Sequence, residues 1–228
     1  MIRSSTLRAS ADPRPTAQWS PELRGYYETL LRHLRWPSSD SANTFQCVGI
    51  ISSQSGEGVS TVARHLAVAA ASLTSQRVLL VDAVFNPQPS RESKSPGKAG
   101  LAEAIFEEVP VMDLVEGTEL PTLFRLPAGD TPVALRDWTK YESFAAEFLG
   151  QMKAHFDLAI FDLPLVHGAG AFSFPLSSLD GVLLVVEAER HAPPTLRETK
   201  RLLDSASANV LGAVLNKQRR YGPRWLHD

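Results

Sequence analysis

GIISSQSGEGVSTVARHLAVAAA, residues 49–71, is the stretch that decides the fold. An apolar β-rich run leads into a turn with glycines at 56 and 58, and an alanine-rich segment of helical character follows. Strand, glycine-rich turn and helix in that order make a phosphate-binding loop, G-x-x-x-x-G-K-[ST]. In such a loop backbone N–H groups cradle phosphates, the lysine reaches the β and γ phosphates, and the following hydroxyl ligates Mg²⁺. Here Val59 stands at the lysine position, while Gly56, Gly58, Ser60 and Thr61 persist. Valine cannot neutralise charge on transferring oxygens, and positioning with electrostatics supplies nearly all catalysis of phosphoryl transfer. Binding is a separate matter, because the loop amides and the helix N-terminus still offer donors and a dipole to phosphates.

Outward from the loop, continuous apolar runs recur at 45–52, 77–83, 123–127, 158–162, 181–187 and 210–216, alternating with helical stretches. Runs of this kind suit strands buried on both faces by crossover helices. The expected fold is therefore α/β, a doubly wound and mostly parallel sheet, with ligands at the carboxyl ends of the strands. Before the first strand, residues 21–36 space Leu23, Tyr26, Tyr27, Leu30, Leu31 and Leu34 as one helix face after a Ser20-Pro21 start signal. Residues 1–20 are rich in Ser, Arg and Pro and read as a flexible tail. Residues 21–221 form the domain, 222–228 a short C-terminal tail, 38–43 a polar connector, and 86–100 (NPQPSRESKSPGKAG) an exposed loop bordering the site.

Composition narrows the classes. With 228 residues, 43% of them hydrophobic, the chain is long enough for one sizeable core. A net charge of −2 gives no global pull toward nucleic acid or an anionic membrane. The single cysteine, Cys47, lies in an apolar run and reads as a buried, inert thiol. No window approaches a membrane span and no apolar signal core opens the chain, so a cytoplasmic protein is expected. Six histidines, among them His65 and His167, show no metal-ligand spacing.

Three further segments carry chemistry. VLLVDAVFNPQP places Asp82 at the end of the second main strand, where a carboxylate can order Mg²⁺ or its waters. FDLAIFDLP ends in Asp162, the position of a second metal-directed aspartate. GAVLNKQRRY puts Asn216 at the end of the final strand, where an amide could read a base. Together with Gly100-Leu101, Leu126-Pro127-Ala128-Gly129 and Asp180-Gly181, these segments resemble, in order and spacing, the cytoplasmic domain of bacterial tyrosine kinases of capsule and exopolysaccharide synthesis. That family is itself related to the MinD and ParA P-loop ATPases.

The resemblance covers about residues 20–221 and implies a P-loop NTPase fold with a leading helix. It implies ATP or ADP with Mg²⁺ as cofactor, held by Ser55, Gly56, Glu57, Gly58, Val59, Ser60, Thr61 and Asn216, the metal by Ser60, Asp82 and Asp162. It also implies a partner, the cytoplasmic face of a membrane polysaccharide co-polymerase or export protein, with a homo-oligomer as a further option and no nucleic acid.

Departures from the family pattern fall on chemistry. Val59 replaces the lysine, Val84 the second aspartate of the strand-two motif, and Asn86 the arginine after it. The family's E-x-x-R-x-x-R on the leading helix aligns with Gly25, Glu28 and Leu31, its C-terminal tyrosine cluster is reduced to Tyr221, and Gln54 stands where MinD-like relatives carry a signature lysine. No catalytic residue is assigned, although Asp82 and Asp162 remain. The reading is a pseudoenzyme that binds nucleotide weakly or not at all and works by docking. Its alternatives are an active autokinase with a relocated cation (Lys98, Arg64 or a partner's side chain) and a MinD-like positioning ATPase.

Plainer readings stand beside these. Asp82 and Asp162 could be ordinary turn or cap residues, and Ser60-Thr61 a helix cap. The basic run Lys217, Arg219, Arg220 and Arg224 with Trp225 reads as a solvated end or a docking patch.

Overall fold

A computed structural model describes residues 19–36, 45–85, 99–130, 138–166, 175–190 and 193–218, with side chains for all of these except 138–143 and 193. Most of the N-terminal tail, the 38–43 connector, Asn86, Lys98, His167, Arg219, Arg220, Tyr221, Arg224 and Trp225 lie outside the described residues.

The strands are β1 (Cys47–Ser52), β2 (Val78–Asp82), β3 (Glu116–Gly117), β4 (Leu123–Leu126), β5 (Leu158–Asp162), β6 (Gly181–Glu187) and β7 (Val210–Asn216). The helices are α1 (Pro21–His33), α2 (Val59–Leu73), α3 (Leu101–Phe106), α4 (Val111–Leu114), α5 (Trp138–His155) and α6 (Pro193–Ser205). The strands form one sheet in the order β3-β4-β2-β5-β1-β6-β7. Every pairing is parallel except β3 with β4. The six apolar runs are thus the six parallel strands. β3 has only two residues, too few to show any periodicity.

Residue alternation divides the core into two layers. Val48, Ile50, Val78, Leu123, Leu158, Ile160, Leu183 and Val185 face α1 and α2, while Ile51, Leu79, Val81, Ala159, Phe161, Val182 and Leu184 face the opposite layer. Along α2 the buried residues are mostly alanines, Ala63, Ala67, Ala69, Ala70 and Ala71, with Val62, Leu66 and Val68. Small side chains let the helix sit close on the sheet and fix the height of its N-terminus above the strand ends. By the same alternation Asp82, Asp162 and Arg125 share the α2 side.

Several sequence motifs serve the frame rather than the site. Asp180 accepts hydrogen bonds from Gln46 N (2.9 Å) and Cys47 N (2.8 Å) and pairs with Lys153 Nζ at 2.6 Å, clasping the start of β1. Buried Glu103 accepts from Gly100 N and Asp130 N and so staples the start of α3 to the 126–129 segment. Cys47 is fully buried, and desolvation, aided by Asp180, pushes its thiol up to about 12. It is inert. Among the described residues no helix is long and apolar enough to cross a membrane.

The leading helix starts as its signal implies, with Ser20 Oγ accepting from Leu23 N at 3.2 Å and Pro21 in the first turn. The boundary of the tail differs from the sequence reading. Trp19 is already anchored, its ring centroid 5.4 Å from Tyr27 and 4.8 Å from His65 on α2. One indole with two ring partners is enough to hold Trp19 against α1 and α2.

This contact is sensitive to pH. Burial first, and Arg64 second, hold His65 below its ordinary value of 6.5. Unfolding returns the imidazole to water, so below that value the unfolded chain binds more protons, and stability falls as the pH drops. The melting midpoint followed by circular dichroism is expected to fall between about pH 7.5 and 5.5, and less steeply in His65→Gln. Equal slopes in the two proteins would contradict this.

Candidate nucleotide site

β1 delivers the chain to a loop that turns twice through left-handed backbone, at Gly56 (φ 83°) and Gly58 (φ 99°), before α2 begins at Val59. Glycine is required at 58 for a second reason. A Cβ there would overlap the amide nitrogen of Asn216.

Between the two glycines, Glu57 turns inward and is fully buried. Its Oε2 accepts from Ser53 N (2.9 Å), Ser53 Oγ (3.2 Å) and Gln54 N (2.7 Å), and its Oε1 from Glu187 N (3.0 Å). Four donors satisfy a carboxylate that burial would otherwise make costly. The result ties the entry of the loop to the end of β6.

The far side of the loop is held by β7. Asn216 Nδ2 donates to the Glu57 carbonyl at 2.7 Å, and Asn216 Oδ1 accepts from Lys217 N at 2.9 Å. Lys217 Nζ donates to the Gly56 carbonyl, and Arg190 donates to the Ser55 carbonyl at 3.1 Å. Both cations meet Glu187, at 3.2 and 2.8 Å, and these hydrogen bonds, that of Arg190 foremost, lower its carboxyl below the ordinary 4.5. The loop carbonyls are thereby occupied from outside.

Of the residues expected to hold nucleotide, Ser55, Gly56 and Thr61 are exposed, and Gly58, Val59 and Ser60 half-buried, on one loop and helix start. Val59 packs against the α2-side core instead of reaching forward. Glu57 contributes only backbone there, its carboxylate being engaged below. Asn216, expected to read a base, has its amide engaged in bracing the loop. Sequence reading did not single out Ser53, Glu187, Arg190 or Arg125 for the site. The signal available for Arg125 was a lone charge inside LFRL, a strand otherwise apolar on both faces.

Asp82 and Asp162 are register partners on adjacent strands. Asp82 Oδ1 accepts from Val84 N at 3.2 Å, and Val84, in place of the second aspartate, is exposed. With Ser60 the two carboxylates supply oxygen donors of the type Mg²⁺ takes. The space they line does not suit that ion. Arg64 and Arg125 line it as well. Arg125 Nη2 stands 4.0 Å from Asp82 Oδ2. Two guanidiniums at the same cavity oppose the charge of the ion. Among the described residues no three His, Cys, Asp or Glu side chains form a metal-binding group.

A mostly parallel, doubly wound sheet with a glycine-rich loop between β1 and α2 has the P-loop NTPase fold of the bacterial tyrosine-kinase and MinD/ParA type. No family model matches the chain. Its homologues are bacterial tyrosine kinases, among them the putative tyrosine-protein kinase CapB of Staphylococcus aureus, 24% identical over 204 residues that cover 90% of this chain and 86% of that protein. Of solved structures, the kinase domain of the Escherichia coli tyrosine kinase ETK matches with a TM-score of 0.71 at 18% identity, covering 97% of this chain and 89% of that one. The septum site-determining protein MinD of Pyrococcus horikoshii, complexed with Mg-ADP, matches with a TM-score of 0.59 at 20% identity over 79% and 75%.

The buried carboxylate gives a direct prediction. Glu57→Ala leaves the N–H groups of Ser53, Gln54 and Glu187 without their acceptor, at an expected cost of roughly 2–4 kcal/mol. For a chain of this size that is a fall in melting temperature of about 5–15 °C, measurable by calorimetry. Glu57→Gln, which presents a donor to donors at one oxygen, recovers only part. A midpoint within about 2 °C of wild type would refute the brace.

Proposed function

We propose that this protein is a pseudoenzyme of capsule or exopolysaccharide assembly. It binds an adenine nucleotide without transferring phosphate and regulates polymer assembly or export by docking on the cytoplasmic face of a membrane polysaccharide co-polymerase. The observation that carries this reading is Val59. The residue that should reach the β and γ phosphates is an aliphatic side chain lying on the α2-side core, above a cradle that is otherwise built and braced.

Chemistry is affected at two more points. Val84 offers no carboxylate to a nucleophile, and Asp82 has a guanidinium beside it. Loss of one preorganised charge-stabilising donor costs ~100- to 1000-fold in rate, and here a cation and a carboxylate are both gone. The phosphate-binding elements that do not depend on charge, the loop amides and the α2 N-terminus, remain. The docking partner and the cytoplasmic location follow from the resemblance to capsule kinases.

A second reading, an active kinase with a relocated cation, is favoured by Lys217 and Arg190, which bring positive charge onto the loop from β7 and the end of β6. Both donate to carbonyls on its outer side.

Turnover of ATP separates the two. Wild type is expected to match a Ser60→Ala control, and Val59→Lys to tighten ATP binding by roughly 10-fold, the worth of one charged hydrogen bond, without turnover. Consumption of ATP well above the Ser60→Ala control, with Val59→Lys changing little, would favour the kinase.

A further inference from the structure

The two arginines that crowd the metal position have a place of their own in the site. Arg125 sits in the middle of β4, opposite Leu80 in the register with β2, so Asp82 lies one side-chain repeat further along the same face. Arg64 comes down from the second turn of α2 to the same cavity, which also touches Ser60 and Asp162. Two guanidiniums therefore face two carboxylates where a P-loop protein holds its divalent cation.

Charge explains why such an arrangement is needed. With Val59 in place of lysine, Asp82 and Asp162 alone would set a charge of −2 beside incoming phosphates and repel them. Arg64 and Arg125 bring the formal sum to zero. The Arg125 contact with Asp82, at 4.0 Å, is longer than a hydrogen bond, so guanidinium N–H groups remain for a second anion. A guanidinium fork matches two phosphate oxygens at once, and it stays charged at any relevant pH.

We propose that Arg125, with Arg64 across the cavity, stands in for both the P-loop lysine and Mg²⁺, so that this site binds the terminal phosphates of a nucleotide without a divalent cation. The proposal rests on the nucleotide-binding reading above and adds to it which groups supply the positive charge. Arg125 thereby becomes a phosphate-binding residue, and Asp82 its positioning partner.

Titration of a fluorescent N-methylanthraniloyl ATP, in EDTA and in excess Mg²⁺, tests it on wild type, Arg125→Met and Arg125→Lys. The wild-type dissociation constant is expected to agree within ~3-fold in the two buffers, which is less than one ordinary hydrogen bond. In EDTA, Arg125→Met is expected to weaken binding by roughly 10-fold or more, as loss of a charged hydrogen bond does, and Arg125→Lys, which keeps the charge but not the fork, to recover only part of that loss.

A wild-type protein that binds only with Mg²⁺, or an Arg125→Met protein indistinguishable from it, would overturn the proposal while leaving nucleotide binding in place. Tripolyphosphate serves as a probe without a base. If wild type binds neither it nor the nucleotide in either buffer, the nucleotide-binding reading fails and this proposal with it. Should Arg125→Met fail to fold, the wild-type comparison between buffers and the Arg125→Lys protein still decide the matter.

Discussion

The site depends on one buried charge. Glu57 lies inside the turn that is meant to receive phosphate, yet its carboxylate points the other way and gathers four donors from the loop entry and the end of β6. An ionised group with no exposure persists only where such donors meet it, so loop and sheet constrain each other. Asn216 then closes the other side by donating to the Glu57 carbonyl, which in turn demands glycine at 58. The loop is braced from both sides by contacts within the chain, and none of them involves the side chain at 59.

Much of this was legible in the sequence, for reasons that differ between elements. The parallel strands declared themselves as unbroken apolar runs, because a strand covered on both faces has no polar side to show. Ser20-Pro21 announced α1 because capping is local chemistry. Asp82, Asp162 and Asn216 fell at strand ends as their positions in the runs implied. The roles of side chains that act across the sheet were not legible. Glu57 meets Glu187, 130 positions away, and Arg125 meets Asp82 only because β4 lies beside β2 in the strand order. Period-2 alternation could place Arg125 on a face, but no local pattern says which strand is its neighbour. Trp19 was hidden likewise, its partners being a tyrosine on α1 and a histidine on α2.

The distribution of charge explains what this fold has kept. Lys217 and Arg190 donate to the loop carbonyls, and Arg125 stands beside Asp82. Val59, half-buried and packed against the α2-side core, and Val84, at the surface, offer neither a cation nor a carboxylate at these two positions. Under the proposed function, the loop amides and the α2 N-terminus are the donors that a bound nucleotide would meet.

Hydrogen exchange of the peptide spanning residues 53–61, with and without ATP and with the nucleotide recovered and assayed from the same sample, tests this most directly. The expected result is slowed exchange of the loop and α2 N-terminal amides on addition of ATP, with the ATP recovered intact. Unchanged exchange would contradict the proposed nucleotide site, and slowed exchange with ATP converted to ADP would contradict the proposed absence of phosphoryl transfer.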